Sequence, residues 1–251
     1  MALALPRYAA DWAFLLDIDG TLLAHAERPD AVQADDAIIA LLDALHAGSG
    51  GALALVSGRS IADIDRLFAP RRFAVAGQHG IERRDAANGL HHHAFPVESL
   101  RRVAIRLGEF AAVHGGVLLE DKGASLALHY RLAPQLAGAA RSLVEIEARA
   151  LGDGFEIQHG KMVLEIKPGG RDKGVAIEEF MLEAPFRGRT PLFIGDDATD
   201  EFGFEVVQRL GGIAIKVGPG ASLARWRLAD TGAVRAWLGE WASHYARPAG
   251  P

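Results

Sequence analysis

Two aspartates spaced two residues apart, Asp17 and Asp19, are the side chains of this chain best suited to chemistry. They follow the apolar run Ala13–Leu16, which is typical of a buried strand in a parallel sheet. Open α/β sheets bind ligands at the carboxyl ends of their strands, which is where Asp17 falls. Two carboxylates this close favour a cation between them. The pair indicates a Mg²⁺ site, a nucleophile with a proton donor, or both.

Three later segments support this interpretation. Alone, a serine after a strand indicates a turn, and a lysine before a helix indicates a solvated side chain. Closely spaced acids are harder to dismiss, because they repel one another unless a cation compensates. The segments are Ser57-Gly58-Arg59 after the apolar run 53–56, Arg171-Asp172-Lys173-Gly174 before a predicted helix, and Gly195-Asp196-Asp197 after the apolar run 191–194, with Asp200 and Glu201 close behind.

In this order the segments resemble the four motifs of the haloacid dehalogenase superfamily of phosphotransferases. The resemblance implies that Asp17 attacks phosphorus to form an acyl-phosphate, which water then hydrolyses. Asp19 would protonate the leaving alkoxide and then activate that water. Ser57 would hydrogen-bond the phosphoryl oxygens, and Lys173 would neutralise their charge.

The same resemblance implies a Mg²⁺ cofactor. Its ligands would be Asp17, the carbonyl of Asp19, and Asp196. Asp197 and Asp200 would orient the metal's ligands or bind the metal themselves.

Composition narrows the class of protein. The chain has 251 residues, 49% hydrophobic and 24% charged, with a formal charge of −5 and no cysteine. It reads as a globular protein without disulfides or thiol nucleophiles, and the charge argues against nucleic-acid and anionic-membrane partners. Met1–Pro6 lacks the pattern of a signal peptide, and no apolar run approaches the roughly 20 residues of a membrane helix. We therefore expect a cytoplasmic enzyme.

The order of predicted elements indicates a parallel, doubly wound α/β core with an insertion. Strands and helices alternate at both ends of the chain, whereas the middle reads helix, hairpin, helix, hairpin. We predict a catalytic core of residues 1–95 and 169–251 and an inserted α+β cap of residues 96–168. The segments 87–89 and 168–170 are predicted as the approaches to the cap, and His91–His93 as a solvated loop.

A closer resemblance, from about Phe14 to Trp237, is to the trehalose-phosphate phosphatase family. It implies a Mg²⁺-dependent phosphatase acting on a sugar phosphate, with no departure at a catalytic motif. Gln78 stands where a Val or similar residue is expected. The segments that carry the likeness are Val56–Ser60, Ala76–Arg84, Leu128–Arg131, Val163–Pro168, Gly195–Glu201 and Gly211–Ile213.

Substrate selectivity is assigned to charged residues on the two predicted cap turns. Charged groups suit the many hydroxyls of a disaccharide, and we expect both turns to face the same way. By resemblance, the substrate-binding set is Arg59, His79, Glu120, Lys122, Arg131, Lys161 and Glu165.

Other readings remain open from the sequence. One is a sucrose-phosphate phosphatase, a broad sugar phosphatase or a phosphohexomutase on the same fold. Another is a non-catalytic sugar-phosphate sensor, although Asp17, Asp19 and Lys173 are all present. The sequence does not determine the oligomeric state.

Overall fold

The computed structural model describes residues 4–25, 32–94 and 96–245. Of the segment Met1–Pro6, which lacks the pattern of a signal peptide, residues 1–3 lie outside the described residues. The chain divides into two compact units. The core unit is Met1–His92 with Asp172–Pro251, and the inserted unit is His93–Arg171. None of the helices in the described ranges is both long and apolar enough to cross a bilayer.

The helices and strands are numbered in chain order. The strands are β1 Trp12–Leu16, β2 Leu53–Val56, β3 Ala74–Gly77, β4 Glu82–Arg84, β5 Leu90–His92, β6 Leu118–Asp121, β7 Leu126–His129, β8 Phe155–Gly160, β9 Val163–Pro168, β10 Thr190–Gly195, β11 Ile213–Val217 and β12 Trp226–Leu228. The α-helices are α1 Asp36–Gly48, α2 Ile61–Leu67, α3 Val97–Val113, α4 Ala137–Leu151, α5 Lys173–Met181, α6 Asp200–Arg209 and α7 Thr231–Tyr245.

The core unit is built on a sheet with the strand order β12-β11-β10-β1-β2-β3-β4-β5. The pairs from β12 to β3 are parallel, and the pairs β3–β4 and β4–β5 are antiparallel. The chain starts at β1 in the middle and builds outward to both sides, which confirms the predicted doubly wound parallel sheet.

Two apolar layers cover this sheet because successive side chains of a strand point to opposite faces. In β1, Phe14 and Leu16 pack in one layer with α1, α2 and α7. Ala13 and Leu15 pack in the other layer with α5 and α6. Burial on both faces explains why the central strands are continuous apolar runs.

The inserted unit has a separate antiparallel sheet in the order β6-β7-β9-β8. Helices α3 and α4 pack on one face of it around a core that includes Leu107, Leu128, Val144 and Ile166. This second α+β element confirms the predicted fold class.

Three short strands, β4, β5 and β12, were not predicted. The segment 87–89, predicted as an approach to the cap, lies instead in the turn between β4 and β5. Two of the histidines predicted in a loop, His91 and His92, belong to β5, and both are exposed. The prediction of a loop was therefore wrong there, while the expected solvent exposure is confirmed.

Candidate active site

Three parallel strands of the core sheet deliver polar side chains to one edge. The end of β1 is in register with the ends of β10 and β2, since Leu16 pairs with Ile194 and with Leu55. Asp17, Ser57 and Asp196 follow these strand ends. Parallel pairing thus brings together residues that are far apart in the chain.

Lys173 reaches the same edge from the first residue of α5. The helix starts there because the Asp172 side chain accepts a hydrogen bond from Val175 N at 2.9 Å, which is an N-cap. Lys173 is 3% exposed. It donates to Asp17 Oδ1 at 2.8 Å and to Asp200 Oδ1 at 2.6 Å. The cation therefore bridges two buried carboxylates.

The turn after β10 is organised by Asp200. Its Oδ2 accepts from the backbone N–H groups of Asp196 at 2.8 Å and Asp197 at 2.9 Å. Asp197 Oδ1 in turn accepts from Thr199 N at 2.8 Å and Thr199 Oγ1 at 2.6 Å. These contacts hold the closely spaced acids in a defined loop, in spite of their mutual repulsion.

Two glycines make room for these carboxylates. A Cβ on Gly20, whose φ is +83°, would lie 2.2 Å from Asp196 Oδ2. A Cβ on Gly195 would lie 2.2 Å from the carboxyl carbon of Asp200. Both distances are too short for any side chain, so close approach of the carboxylates requires glycine at both positions.

Carboxylate oxygens of Asp17, Asp196 and Asp200 all lie within 4.8 Å of one another. Carboxylate oxygens are the ligands that hard divalent cations prefer, so this set fits such a metal. Lys173 compensates one of three negative charges, and the remaining two match the charge of a divalent ion. The structure thus places the carboxylate of Asp200 in this group of three, whereas the side chain of Asp19 lies outside it.

Asp19 is engaged by Arg59 instead. Arg59 donates from Nε to Asp19 Oδ2 at 2.6 Å and from a terminal nitrogen to Asp19 Oδ1 at 2.7 Å. A two-pronged contact of this kind fixes the orientation of the carboxylate. The backbone N–H of Arg59 also donates to Ser57 Oγ at 3.1 Å, which links the arginine to the serine.

The electrostatics of the site reflect the excess of buried acid. Burial raises the pKa of Asp17 well above its usual value; Lys173 opposes this, and the carboxylates of Asp200, Asp196 and Asp197 add to it. Burial likewise raises the pKa of Asp200 to about 6, against the charge of Lys173. Burial alone would lower the pKa of Lys173, but the acids around it raise that pKa well above its usual value. A bound cation would relieve the cost of ionising these carboxylates.

His79 lies beside the Ser57 turn in a strained conformation. Both Gln78, at φ 48°, and His79, at φ 57°, adopt left-handed backbone angles that are unusual for residues other than glycine. His79 N donates to Ser57 O at 3.0 Å. A Cβ on Gly58 would lie 2.7 Å from His79 Nε2, so the imidazole packs directly on this glycine. Gln78, where Val or a similar residue was expected, donates to Glu82 Oε1 at 3.1 Å.

In the inserted unit, the sheet face opposite α3 and α4 is polar. Glu120, Ala127, Glu165 and Gln158 pair in one row across β6, β7, β9 and β8, so their side chains share a face. Gln158 was not predicted from the sequence, although its alternation with buried Phe155 and half-buried Ile157 along β8 indicates a polar face.

Hydrogen bonds connect the charged residues of this polar face. Lys122 Nζ lies 3.3 and 3.2 Å from the two carboxylate oxygens of Glu165. Ser125 Oγ donates to Glu165 Oε1 at 2.5 Å. His129 Nε2 lies 2.9 Å from Glu120 Oε2. Burial would raise the pKa of Glu120, but the hydrogen bond with His129 and the charge of Lys122 hold it below its usual value.

The expectation that the two hairpin turns face the same way was wrong. Strands β7 and β9 are antiparallel neighbours, with Leu126 opposite Ile166 and His129 opposite Val163. The turn before β7 and the turn before β9 therefore lie at opposite ends of the sheet. Lys161 and Arg131 share the second end, where an Arg131 terminal nitrogen donates to Lys161 O at 3.4 Å.

Known proteins resemble this chain over most of its length. The trehalose-phosphatase family matches residues 15–231. The trehalose-6-phosphate phosphatase of Escherichia coli (strain K12) is 46% identical over 233 residues, which cover 93% of this chain and 87% of that protein.

Solved structures share the fold. A trehalose-6-phosphate phosphatase related protein matches with a TM-score of 0.81 and 26% identity, covering 92% of this chain and 97% of its own. A protein from Bacteroides thetaiotaomicron, described among phosphatases of the haloalkanoate superfamily, matches with a TM-score of 0.65 and covers 95% of this chain and 98% of its own. At 14% identity, this second likeness concerns the fold alone.

Proposed function

Because the chain belongs to the trehalose-phosphatase family, we propose that it hydrolyses trehalose 6-phosphate to trehalose and phosphate, the last step of trehalose biosynthesis. The observation that carries the proposal is the site at the strand ends of the core unit. There Asp17, Asp196 and Asp200 converge on one another and Lys173 bridges two of them. Such a site suits transfer of a phosphoryl group, which depends on positioning and on neutralising charge.

Asp17 is the proposed nucleophile. Its carboxylate oxygen forms a bond to phosphorus while the bond from phosphorus to the sugar oxygen breaks, which leaves an aspartyl-phosphate. Lys173 keeps Asp17 in place through the 2.8 Å contact and compensates negative charge on the phosphoryl group. Ser57 supplies a hydroxyl to the phosphoryl oxygens.

Asp19 is the proposed general acid and base. It gives a proton to the departing sugar oxygen and later takes one from the water that hydrolyses the aspartyl-phosphate. Arg59 holds both of its oxygens in the structure, so the orientation of Asp19 is set by this arginine.

Mg²⁺ is the proposed cofactor, bound by Asp17, Asp196 and Asp200, with the carbonyl of Asp19 as a further oxygen ligand. When bound, it would neutralise charge on the phosphoryl oxygens and orient them. Asp197 supports this site through its contacts with Thr199. Burial would raise the pKa of Asp197, but Lys173 and Thr199 lower it below its usual value.

Sugar recognition is assigned to the polar face and turns of the inserted unit. There Lys122 pairs with Glu165, Glu120 contacts His129, and at the other end Arg131 donates to the backbone carbonyl of Lys161. Charged groups hydrogen-bond sugar hydroxyls strongly. Arg59 and His79 are the proposed contacts to substrate from the core unit. The partner is a small sugar phosphate, with no nucleic acid or membrane involved, and the proposed location is the cytoplasm.

The direct test is phosphate release from a panel of sugar phosphates in the presence of Mg²⁺. We expect kcat/KM for trehalose 6-phosphate to exceed that for sucrose 6-phosphate and glucose 6-phosphate by at least about 10²-fold, because buried polar groups reject substrates that leave them unpaired. Equal rates across the panel would indicate a broad sugar phosphatase. Binding without phosphate release would indicate a sensor, and isomerisation that needs a bisphosphate activator would indicate a mutase.

Substitutions on the polar face should separate sugar recognition from phosphoryl transfer. Glu120→Ala and Lys122→Ala are each expected to lower kcat/KM for trehalose 6-phosphate by about 10- to 150-fold, the value of a lost hydrogen bond to a charged group. Hydrolysis of a small aryl phosphate, which carries no sugar, should stay within about twofold. Kinetics on both substrates measure this difference.

Matched controls lie on α4, which packs on the other face of the same sheet. Glu145→Ala and Arg141→Ala make the same changes of charge there and should leave both rates unaltered. Equal losses on the two substrates for Glu120→Ala or Lys122→Ala would show that the residue acts on the fold or on the phosphate. No loss on either substrate would remove it from the recognition site.

A further inference from the structure

Lys216 is a buried cation that the proposed mechanism does not use. It lies in β11 and is 5% exposed. Its ammonium donates to the carbonyl oxygen of Asp196, and to that of Val217 at 2.7 Å. Within the described part of the chain it forms no ion pair with a carboxylate. A charge buried without a counter-ion lowers stability, and a methionine would fill the same space without that cost.

Lys216 can reach Asp196 because of strand register. In the parallel pair β10–β11, Lys216 is opposite Gly195, the residue directly before Asp196. Its side chain therefore meets the carbonyl at the point where the chain leaves β10. The long stem of lysine spans the gap between the two strand ends.

The backbone of Asp196 is consequently held from both sides. Its N–H donates to Asp200 Oδ2 at 2.8 Å, and its carbonyl accepts from Lys216. The carboxylate then lies over the Cα of Gly20, where a Cβ would be only 2.2 Å away. Because the N–H and the carbonyl of Asp196 are both held, its Cα–Cβ bond has one defined direction, and its carboxylate lies near those of Asp17 and Asp200.

We propose that Lys216 is a positioning residue for the metal site, acting through the backbone carbonyl of Asp196. The inference rests on the proposed use of Mg²⁺ by Asp17, Asp196 and Asp200. Groups that orient metal ligands are typically worth about 10- to 100-fold in metal affinity.

Charge and positioning predict opposite results when Lys216 is replaced. A positive charge close to a cation site repels the cation, so its removal should tighten Mg²⁺ binding if charge alone matters. If Lys216 acts by holding Asp196, its removal should weaken Mg²⁺ binding in spite of the lost repulsion. The sign of the change therefore decides between the two.

The experiment is calorimetric titration of the full chain with Mg²⁺, without substrate. For Lys216→Met we expect the Kd to rise about 10-fold or more. Lys216→Gln keeps one donor for the Asp196 carbonyl without the charge, so its Kd should rise by less. Thermal unfolding verifies that each variant is folded, and Lys216→Ala, which also removes the donor, decides the outcome if Lys216→Met does not fold. The matched control is Lys167→Met, which removes a buried lysine of the inserted unit that donates to Arg171 O at 2.7 Å.

Weaker Mg²⁺ binding by the folded Lys216 variants, with an unaltered Kd for Lys167→Met, supports the inference. Unaltered or tighter binding by folded Lys216→Met, or by Lys216→Ala in its place, overturns it, while leaving the proposed phosphatase function intact. If the unaltered chain binds no Mg²⁺ in this titration, the proposed metal site and the inference fall together.

Discussion

Asp17→Asn is expected to reduce turnover of trehalose 6-phosphate by about 10⁴-fold or more, the scale seen when an enzyme loses its nucleophile. The substitution replaces a carboxylate oxygen by an amide nitrogen and leaves the volume of the side chain almost unaltered. An amide oxygen can still accept the hydrogen bond that Lys173 donates at 2.8 Å. The loss should therefore come from chemistry and not from packing.

Acid quenching during turnover separates a lost nucleophile from a lost metal ligand. With substrate labelled in the phosphate, the unaltered chain should retain label as an aspartyl-phosphate, and Asp17→Asn should retain none. Asp43→Asn is the matched control, because Asp43 is an acid of α1 that pairs with Arg71 at 2.8 Å. If Asp17→Asn turned over substrate at a near-normal rate and itself retained labelled phosphate after the quench, the nucleophile would be another residue.

Removal of divalent metal is expected to abolish phosphate release completely, and Mg²⁺ should restore it. Three carboxylates face one another within 4.8 Å, and Lys173 compensates one charge. Without a further cation, the raised pKa values of Asp17 and Asp200 reflect the difficulty of keeping both ionised in a buried site. The prediction rests on the expectation that a bound metal neutralises charge among these acids, which would otherwise oppose attack on an anionic phosphoryl group.

The free energy of unfolding gives a second measure of metal binding at the same site. A ligand at 100 times its Kd raises the free energy of unfolding by about 2.7 kcal/mol if it binds the folded state alone. We therefore expect the Tm to rise with Mg²⁺ concentration in the unaltered chain. Ca²⁺, which prefers longer and more variable ligand distances, is expected to restore little activity. Full phosphate release after exhaustive chelation would contradict the proposed cofactor.

Local sequence signals sufficed for much of the core unit. Continuous apolar runs indicated β1, β2 and β10 because strands buried on both faces have no polar side. Ser60 precedes the apolar pattern of α2 as an N-cap serine typically does, and its hydroxyl accepts from Asp63 N at 3.1 Å. Caps and strand ends are local features, so the positions of Asp17, Ser57 and Asp196 at one sheet edge followed from them.

The strands that were missed have weak local signals. β4, β5 and β12 are three residues long, and Glu82-Arg83-Arg84 contains no apolar residue. Their pairing depends on neighbouring strands and not on their own periodicity. The turn at 87–89 was misplaced for a related reason: Asp85 Oδ1 accepts from Ala87 N at 2.9 Å and Gly89 N at 2.8 Å, which closes a hairpin that has no apolar signal.

The sequence by itself determined which acids follow the strands and predicted a site of hard oxygen ligands, and the family resemblance added that Lys173 joins them. The tertiary structure alone decided which partners meet. It placed the carboxylate of Asp200 with Asp17 and Asp196, and paired Asp19 with Arg59, 40 residues away in the chain. It set the two hairpin turns at opposite ends of their sheet and brought Lys216 to the Asp196 carbonyl. The spacing of residues along the chain indicates which residues follow the same strand or helix. Contacts between elements depend on strand order and register, which local patterns do not encode.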